Sequence, residues 1–321
     1  MITVVIPYFQ RSPGILAKAL ASIAAQEGCP LPIQVIVVDD ASPAPVAAEL
    51  AGVGAMPHPV RVITQANGGP GAARNTGLDH APPGTRYLAF LDSDDEWMPD
   101  HLARAVAALE CGYDFFFADH YQLGQAIGAF ARGGLLALEQ HPLLPTGQAD
   151  LHAYAGDLLD QTIRGNLIGT STVVYNFTRF AAQRFQVAFA NAGEDYLFWM
   201  ALLVQGASSA FSTHTAARYG KGVNIYAGAG WGSEQHLLRT HNEIKYRRTI
   251  IAQFKLTPAQ RQHVQAAIQD LGHAFARDLL HRVSHRKALP WPLLRAHFKL
   301  DPWSFGGLPA AALKILWSRG K

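Results

Sequence analysis

The segment YLAFLDSDDEW (residues 87–97) joins a short apolar run to four acidic residues, Asp92, Asp94, Asp95 and Glu96. Only 24 of the 321 residues are acidic, so this is a strong local concentration of negative charge. Like charges repel, and we expect a cation among them. Asp92 and Asp94 can reach a common point after the strand, and paired carboxylates suit Mg²⁺ or Mn²⁺. The triplet alone is explained equally well by a turn with a helix-capping aspartate.

Short apolar runs alternate with helical patterns over the first 120 residues. The predicted strands are ITVVIPYF (2–9), IQVIVVDD (33–40), PVRVITQ (59–65) and RYLAFLD (86–92), and the predicted helices are 13–26, 69–81 and 99–110. Continuous apolar strands separated by helices predict an α/β fold with a Rossmann-like, mostly parallel sheet flanked by helices. Ligands bind such sheets beyond the carboxyl ends of the strands. Polar clusters follow several of these strands, so we expect them to converge on one edge.

The later part of the chain carries fewer signals. GTSTVVYN (169–176) predicts a strand, and GEDYLFWMALLVQG (193–206) predicts a helix with two acidic residues in its first turn. Two further helices are predicted at about 233–254 and 257–282. Residues 121–165 show no pattern to which we assign chemistry.

Composition excludes several classes of protein. A formal net charge of +3 is too weak to indicate nucleic-acid binding, and the acidic edge argues against it. Cys29 and Cys111 lack metal-ligand spacing, which favours two buried thiols in a reducing compartment. No apolar run reaches the ~18 residues of a membrane-spanning helix, and the first residues lack the pattern of a signal peptide. A cytoplasmic protein, free or peripheral to a membrane, is therefore expected.

Five segments in this order resemble the family 2 glycosyltransferases. They are VVIPYF (4–9), VIVVDDAS (35–42), NGGPGAARNTGL (67–78), FLDSDDEW (90–97) and GEDYLFW (193–199). The resemblance implies the GT-A fold and an inverting transfer of a sugar from a nucleotide-diphosphate donor. It is strong over residues 1–110 and weak beyond 235.

The resemblance also implies roles for individual residues. The nucleotide-binding set would be Pro7, Tyr8, Phe9, Asp40, Asn67, Arg74 and Asp92, with Asp40 on the uracil. Asp94 would bind Mn²⁺ or Mg²⁺ directly, and Asp92 would do so directly or through water. Asp195 would be the catalytic base. Glu194 stays open as a rival for that role or as its support.

One segment departs from the family pattern. Lys221 stands where many relatives carry a histidine that closes over the diphosphate, and a lysine can neutralise phosphate. His214 is a candidate replacement metal ligand, with a structural histidine as the alternative. The glycine-rich segment 220–233, which contains Asn224, Tyr226 and Trp231, predicts a lid or a surface loop.

The chain length and this loop resemble the glucosyltransferases of succinoglycan-type exopolysaccharide assembly. That narrower resemblance implies UDP-glucose as donor and a lipid-diphosphate-linked glycan as acceptor. The division expected is a catalytic domain at 1–232 and a helical extension at 233–321. Residues 285–321 mix tryptophans with Arg and Lys, which suits the inner-membrane surface. Packing on the core and pairing with a second copy remain alternatives.

Two other functions compete with a glycosyltransferase. A sugar-phosphate nucleotidyltransferase would require a glycine-rich stretch with Arg and Lys after the first strand, which PYFQRSPG (7–14) does not supply. A non-catalytic nucleotide-sugar-binding protein would be expected to lack the acidic triplet or the base, and the chain has both.

Overall fold

The computed structural model describes residues 1–189, 193–222, 229–306 and 308. These residues form two compact units, which we describe separately. The first contains the described residues of 1–190 and 194–223, and the second contains those of 191–193 and 224–321. The functional division expected at residue 232 remains a prediction.

The first unit is built around one sheet. Its strands are β1 (Ile2–Tyr8), β2 (Ile33–Asp39), β3 (Val60–Thr64), β4 (Tyr87–Phe90), β5 (Glu96–Trp97), β6 (Phe115–Tyr121), β7 (Leu151–Ala153), β8 (Val174–Asn176) and β9 (Ser209–Arg218). Its helices are α1 (Leu16–Ala24), α2 (Val46–Val53), α3 (Pro70–Asp79), α4 (His101–Glu110), α5 (Ala129–Gly133), α6 (Leu158–Arg164) and α7 (Glu194–Val204). The strand order in the described residues is β3-β2-β1-β4-β8-β6-β9-β5, with β7 paired to β9.

The sheet is mixed but mostly parallel in its first half. β1 pairs in parallel with β2 and β4, and β2 pairs in parallel with β3. β8 enters antiparallel between β4 and β6, while β6 and β9 are parallel. The predicted α/β architecture with a mostly parallel sheet is therefore confirmed.

The central strands are buried on both faces, as continuous apolar runs predict. Val4 and Ile6 of β1 belong to the core cluster that includes residues of α1 and α4. Val5, between them, belongs to a second cluster that is rich in aromatic rings and includes residues of α7. Alternate residues of a strand point to opposite faces, so both faces of β1 are covered by apolar packing.

Two predictions from sequence need correction. Residues 169–176 were expected to form one strand, but Thr170–Thr172 form a 3₁₀ turn and only Val174–Asn176 pair in the sheet. Ser and Thr side chains offer hydrogen bonds that compete with those of a strand backbone, and in this turn they donate to two nearby carboxylates. Cys29 is only half-buried and Cys111 is exposed, so the expectation of two buried thiols was wrong.

The second unit is helical in its described residues. It contains α8 (Glu234–Gln253), α9 (Pro258–Ser284), α10 (Trp291–Leu300) and α11 (Trp303–Gly306). The side chain of Thr257 caps α9 and, with Gln260, completes a capping box ahead of Pro258 in the first turn. The two helices predicted at 233–254 and 257–282 are confirmed. No helix in the described part of the chain is both long and apolar enough to cross a membrane.

Candidate active site

The loops that follow the parallel strands meet at one edge of the sheet. The Asp40 amide, after β2, donates to the Tyr8 carbonyl at the end of β1 (2.9 Å). The Gln10 side-chain amide, after β1, donates to the Ser93 hydroxyl after β4 (3.0 Å). These contacts confirm that the polar segments singled out in the sequence share the carboxyl edge.

Arg74 connects two of the acidic segments. Its guanidinium donates to Asp92 (2.7 Å) and to Glu194 (2.9 Å) while only 3% of the residue is exposed. Burial disfavours its charged form, but the two carboxylates outweigh that effect and raise the pKa of Arg74 above its ordinary value. Arg74 therefore stays charged and offsets the charge of Asp92, one of the four crowded carboxylates.

The remaining carboxylates of the acidic segment have different partners. Asp95 is buried and accepts hydrogen bonds from the Ser171 hydroxyl (2.5 Å) and the Gly220 amide (3.0 Å). Asp94 accepts a backbone hydrogen bond from Gly222 and forms no ion pair within the described residues. Burial and the Asp92 carboxylate raise the pKa of Asp94 to about 6. Asp94 thus carries negative charge that no cation of the described chain offsets.

The region around Asp94 fits a divalent cation that also binds the substrate. Mg²⁺ in proteins is commonly held by one or two carboxylates together with substrate phosphates, and Mn²⁺ accepts the same oxygen ligands. Asp94 can supply one such carboxylate, and Asp92, whose side chain is 33% exposed, can supply a second. No group of three or more His, Cys, Asp or Glu suited to a metal ion occurs among the described residues. The donor set therefore suits a metal shared with a diphosphate.

Asp40 holds the turn that begins α3. Its carboxylate accepts hydrogen bonds from the Gln65 side chain (2.7 Å) and from the amides of Gly68 and Gly69 (2.8 Å each). The Asn67 side chain returns a bond to the Asp40 carbonyl (2.9 Å). Both residues therefore shape the glycine-rich turn, and the uracil contact expected of Asp40 remains a prediction.

The residues at the end of β1 and directly after it differ in how far their side chains are buried. Tyr8 is fully buried, and its hydroxyl donates to the Ala44 carbonyl (2.9 Å), so its side chain is closed to a ligand. Pro7 and Phe9 are half-buried. Of the three residues expected at the nucleotide base, these two leave surface that a base could contact.

Glu194 and Asp195 face different surroundings at the start of α7. Glu194 is buried against Arg74, whereas Asp195 lines a cavity that Asp92 also borders. Asp195 accepts hydrogen bonds from the Thr170 hydroxyl (2.9 Å) and from the Tyr196 amide (2.8 Å). Burial raises the pKa of Asp195, and Arg74 opposes the rise. A carboxylate with a raised pKa at a cavity wall has the properties of a general base.

The structure does not bring His214 to the acidic segment. The His214 ring contacts Asp100 (3.4 Å). Asp94 instead contacts Gly222, which lies eight residues after His214 in the chain. Lys221 is exposed next to Gly222, on the same segment as the contact with Asp94. In the glycine-rich segment 220–233, Trp231 is described and is 53% exposed, while Asn224 and Tyr226 lie outside the described residues.

Several polar residues of the site were not found from the sequence. His120 and Tyr219 line the cavity with Asp195. The hydroxyls of Thr170 and Ser171 donate to the carboxylates of Asp195 and Asp95, respectively. His120 ends the apolar run FFFADHY (115–121), a signal of the same kind as those used for the other strands. Tyr219 follows β9, whose polar sequence gave no strand signal.

Comparisons with known proteins identify the family of the chain. The family described as Glycosyl transferase family 2 matches residues 3–167. This chain belongs to glycosyl transferase family 2. It is therefore a glycosyltransferase, as the five ordered segments predicted.

Among relatives of this family 2 chain is a succinoglycan biosynthesis protein, ExoW of Rhizobium meliloti (strain 1021). The two are 33% identical over 323 residues, which cover 98% of each chain. A teichuronic acid biosynthesis glycosyltransferase of Bacillus subtilis (strain 168), named TuaG and described as putative, is 25% identical over 57% of this chain and 65% of its own.

Solved structures agree on the fold of the family 2 chain. S. aureus TarS 1-349 in complex with UDP-GlcNAc superposes with a TM-score of 0.57 at 18% identity, over 85% of this chain and 73% of TarS. A mannosyltransferase of Pyrobaculum calidifontis in complex with GDP-Man and Mn²⁺ gives 0.57 at 16% identity, over 99% and 87%. At these identities the likeness establishes the GT-A fold.

Proposed function

We propose that this glycosyltransferase moves a sugar, glucose as the first candidate, from a UDP-sugar to a hydroxyl of a lipid-linked exopolysaccharide or other surface glycan. The observation that carries the proposal is the cavity that Asp92 and Asp195 share, together with Asp94, which forms no ion pair in the part of the chain that the structure describes. The similarity to a succinoglycan biosynthesis protein supports the glycan class, and the UDP-GlcNAc complex of TarS supports the UDP-sugar class.

The described residues support a single-displacement mechanism with inversion. Asp195 would accept the proton of the acceptor hydroxyl as that oxygen attacks the anomeric carbon, on the face opposite the leaving diphosphate. Arg74 fixes Asp92 and Glu194, so the polar wall beside the sugar is rigid. A divalent cation at Asp94 and Asp92 would stabilise the charge that grows on the diphosphate. The exposed Lys221 would add positive charge near the diphosphate.

Nucleotide binding tests the donor half of the proposal. Calorimetry should show UDP binding more tightly than GDP or ADP, with Mn²⁺ or Mg²⁺ strengthening the binding and excess chelator weakening it. Equal affinity for the three nucleotides would contradict the UDP site. Unchanged binding and turnover in chelator would contradict the metal site.

A donor screen tests the reaction. The purified chain, with metal and a panel of nucleotide sugars, should slowly release UDP from one UDP-sugar. Binding of UDP-sugars with no hydrolysis or transfer under any condition would favour a non-catalytic binding protein. Formation of a nucleotide sugar from UTP and a sugar 1-phosphate would favour a nucleotidyltransferase instead.

We further propose a peripheral contact with the cytoplasmic face of the inner membrane, through α10 and α11. Trp291, Phe298 and Trp303 are 62%, 58% and 83% exposed, and Arg295 and Lys299 are exposed on α10. The opposite side of α10 packs inward, with Leu294 in an apolar cluster of the second unit. Exposed aromatic rings among basic side chains suit an anionic lipid surface, where a lipid-linked acceptor would lie.

A further inference from the structure

The cavity beside Asp195 extends away from the residues assigned to the nucleotide. Its volume is about 350 Å³, at the low end of the ~300–1,000 Å³ range of ligand pockets, which suits a single sugar ring. Of the residues assigned to nucleotide or metal, Asp92 alone borders it, and the other polar walls include Asp195, His120 and Tyr219. The lining therefore joins the proposed base to polar side chains to which no nucleotide or metal role is assigned.

His120 and Tyr219 bring two unpartnered polar groups to this cavity. Their rings are stacked, with centroids 4.3 Å apart and planes inclined by 20°. His120 Nδ1 is buried without a hydrogen-bond partner, and the Tyr219 hydroxyl makes no hydrogen bond within the described residues. His120 is only 6% exposed. Leaving a buried polar group unpartnered costs about 1–3 kcal/mol, so such groups call for an explanation, and a ligand supplies one.

The two rings lie against the turn whose next residue also binds the proposed base. A β-carbon on Gly169 would lie 2.5 Å from the Tyr219 oxygen and 2.8 Å from His120 Nδ1, closer than atoms can pack. The next residue, Thr170, donates to Asp195 (2.9 Å). The same turn therefore lies against the polar atoms of both rings and binds the carboxylate that would accept the proton.

Both groups are uncharged near neutral pH. Burial lowers the pKa of His120 to about 4, with Asp119 opposing the shift and Arg132 adding to it. Burial and the carboxylates of Asp95, Asp92 and Asp195 raise the pKa of Tyr219 above its ordinary value. A neutral imidazole can donate and accept, and a phenol can do both, which matches the hydroxyl groups of a neutral sugar.

We propose that His120 and Tyr219 form the acceptor subsite, where they hydrogen-bond the hydroxyls of one uncharged sugar ring and hold its attacking hydroxyl at Asp195. This rests on the proposed function, since it requires Asp195 to act as the base. A site whose buried polar groups need the substrate's hydroxyls discriminates against rings that lack one. His120 and Tyr219 would then select the acceptor sugar and its linkage position.

The test compares transfer with hydrolysis in His120→Phe, Tyr219→Phe and the wild type. The donor is the UDP-sugar found in the donor screen, and the acceptor probes are octyl β-glucoside, β-galactoside and β-mannoside. We expect one glycoside to divert the wild-type reaction from water in a saturable way. In each variant the ratio of transfer to hydrolysis should fall about tenfold, through a higher KM for the glycoside, with UDP affinity unchanged. Gly169→Ala, which displaces both rings, should lower the same ratio.

His101→Phe is the matched control. His101 is also a buried imidazole that packs against an aromatic ring, Trp97, but it does not line the cavity. The ratio of transfer to hydrolysis in His101→Phe should therefore equal that of the wild type. A raised KM for the UDP-sugar in the His120 and Tyr219 variants would overturn the inference, because the pair would then hold the donor. A wild-type enzyme whose hydrolysis no glycoside slows or diverts would also overturn it. Absence of UDP binding and hydrolysis in the wild type would instead contradict the proposed function.

Discussion

At the scale of single residues, the site is organised by one buried arginine. Asp92 lies 18 positions after Arg74 in the sequence, and Glu194 lies 120 positions after it. Both carboxylates nevertheless bond to the Arg74 guanidinium. The planar guanidinium can serve two carboxylates at fixed angles, which a lysine cannot. Repulsion among the acidic residues predicts a cation, for which the sequence offers a divalent metal, and the fold adds Arg74 as the partner of Asp92.

Replacing Arg74 should destabilise the first unit strongly. Arg74→Met leaves Glu194, whose side chain is 7% exposed, without its cationic partner. Removing one member of a buried ion pair costs about 3–5 kcal/mol. Urea unfolding should show a loss of this size, and Arg74→Met combined with Glu194→Gln should recover part of it.

The control for that variant is an exposed ion pair of the same unit. Arg86 pairs with Glu110, and their side chains are 51% and 45% exposed. Arg86→Met should therefore change the free energy of unfolding by less than about 1 kcal/mol. Equal losses in the two arginine variants would refute the structural role given to Arg74.

The sequence predicted those site residues whose neighbours form a recognisable pattern. Asp92, Asp94 and Asp195 follow strands or open helices, and they lie at the carboxyl edge as expected. The sequence leaves His214 open as a metal ligand or a structural histidine, because spacing along the chain does not show which residue its ring meets, and in the structure the ring contacts Asp100. Tyr219 could not be found, because its position depends on a strand that the sequence did not predict.

At the scale of elements, the segment after β9 presses on the acidic loop. A β-carbon on Gly222 would overlap the Asp94 carboxylate, whereas one on Gly230 would meet nothing within 4 Å. Gly222→Ala should therefore displace Asp94 and weaken the metal-dependent part of UDP binding by about tenfold, a loss of ~1.4 kcal/mol. Gly230→Ala should bind UDP as the wild type does. Calorimetry with and without Mn²⁺ makes the comparison, and equal behaviour of the two variants would contradict the contact.

Helix α4 carries a histidine that should make the fold sensitive to acid. His101 packs with Trp97 and Phe116, and burial lowers its pKa to about 3, with Asp100 opposing. An unfolded histidine titrates near ~6.5, so below that pH the unfolded chain binds a proton that the folded chain does not. This contribution to stability is complete above about pH 6.5 and is lost as the pH falls toward 3.

The variant His101→Phe should remove that loss. Between pH 7 and pH 5 the free energy of unfolding should decline less in the variant than in the wild type, by about 2 kcal/mol. Carboxylates with raised pKa values, such as Asp94, act in the opposite direction, so the difference between the two proteins is the informative quantity. Urea unfolding at both pH values measures it, and parallel declines would show that His101 does not stay neutral.

The first four strands were predicted from their apolar runs, whereas β6, which begins with three phenylalanines, and the polar β9 were not predicted. The strands β1 to β4 read as apolar runs because helices cover both faces of the sheet. The strand β9 has the sequence SAFSTHTAAR and contains six residues with polar side chains, at Ser209, Ser212, Thr213, His214, Thr215 and Arg218. Its place is fixed by pairing with β5, β6 and β7, which no local pattern reveals.

At the scale of the whole molecule, the proposed membrane contact belongs to the second unit. Among residues 285–306 the acidic side chain is Asp301, and it is paired with Arg248 (2.6 Å). Deleting this segment would expose the apolar cluster that contains Phe275 and Leu279, so surface substitutions are the better test. Sequence alone left packing and membrane binding as alternatives, whereas the structure gives α10 both a packed side and an exposed side.

Replacing the exposed aromatic rings should weaken binding to anionic vesicles. Phe298→Ser with Trp303→Ser should reduce cosedimentation with phosphatidylserine-rich vesicles at low salt by at least about tenfold, since each ring would lie at headgroup depth. Leu123→Ser, at a residue that is 50% exposed in the first unit, is the control and should bind as the wild type does. A wild-type protein that ignores such vesicles would refute the membrane contact. A dimer that the double variant dissociates would assign this face to a second copy instead.

The most direct test of the account is the pair Asp195→Asn and Glu194→Gln. With the UDP-sugar as donor, Asp195→Asn should lower turnover by at least the ~10²-fold typical of a lost general base, while UDP affinity and folding stay near those of the wild type. Glu194→Gln should retain most turnover, because Glu194 pairs with Arg74 and does not line the cavity. Loss of turnover in Glu194→Gln together with near-normal turnover in Asp195→Asn would contradict the assignment of the base.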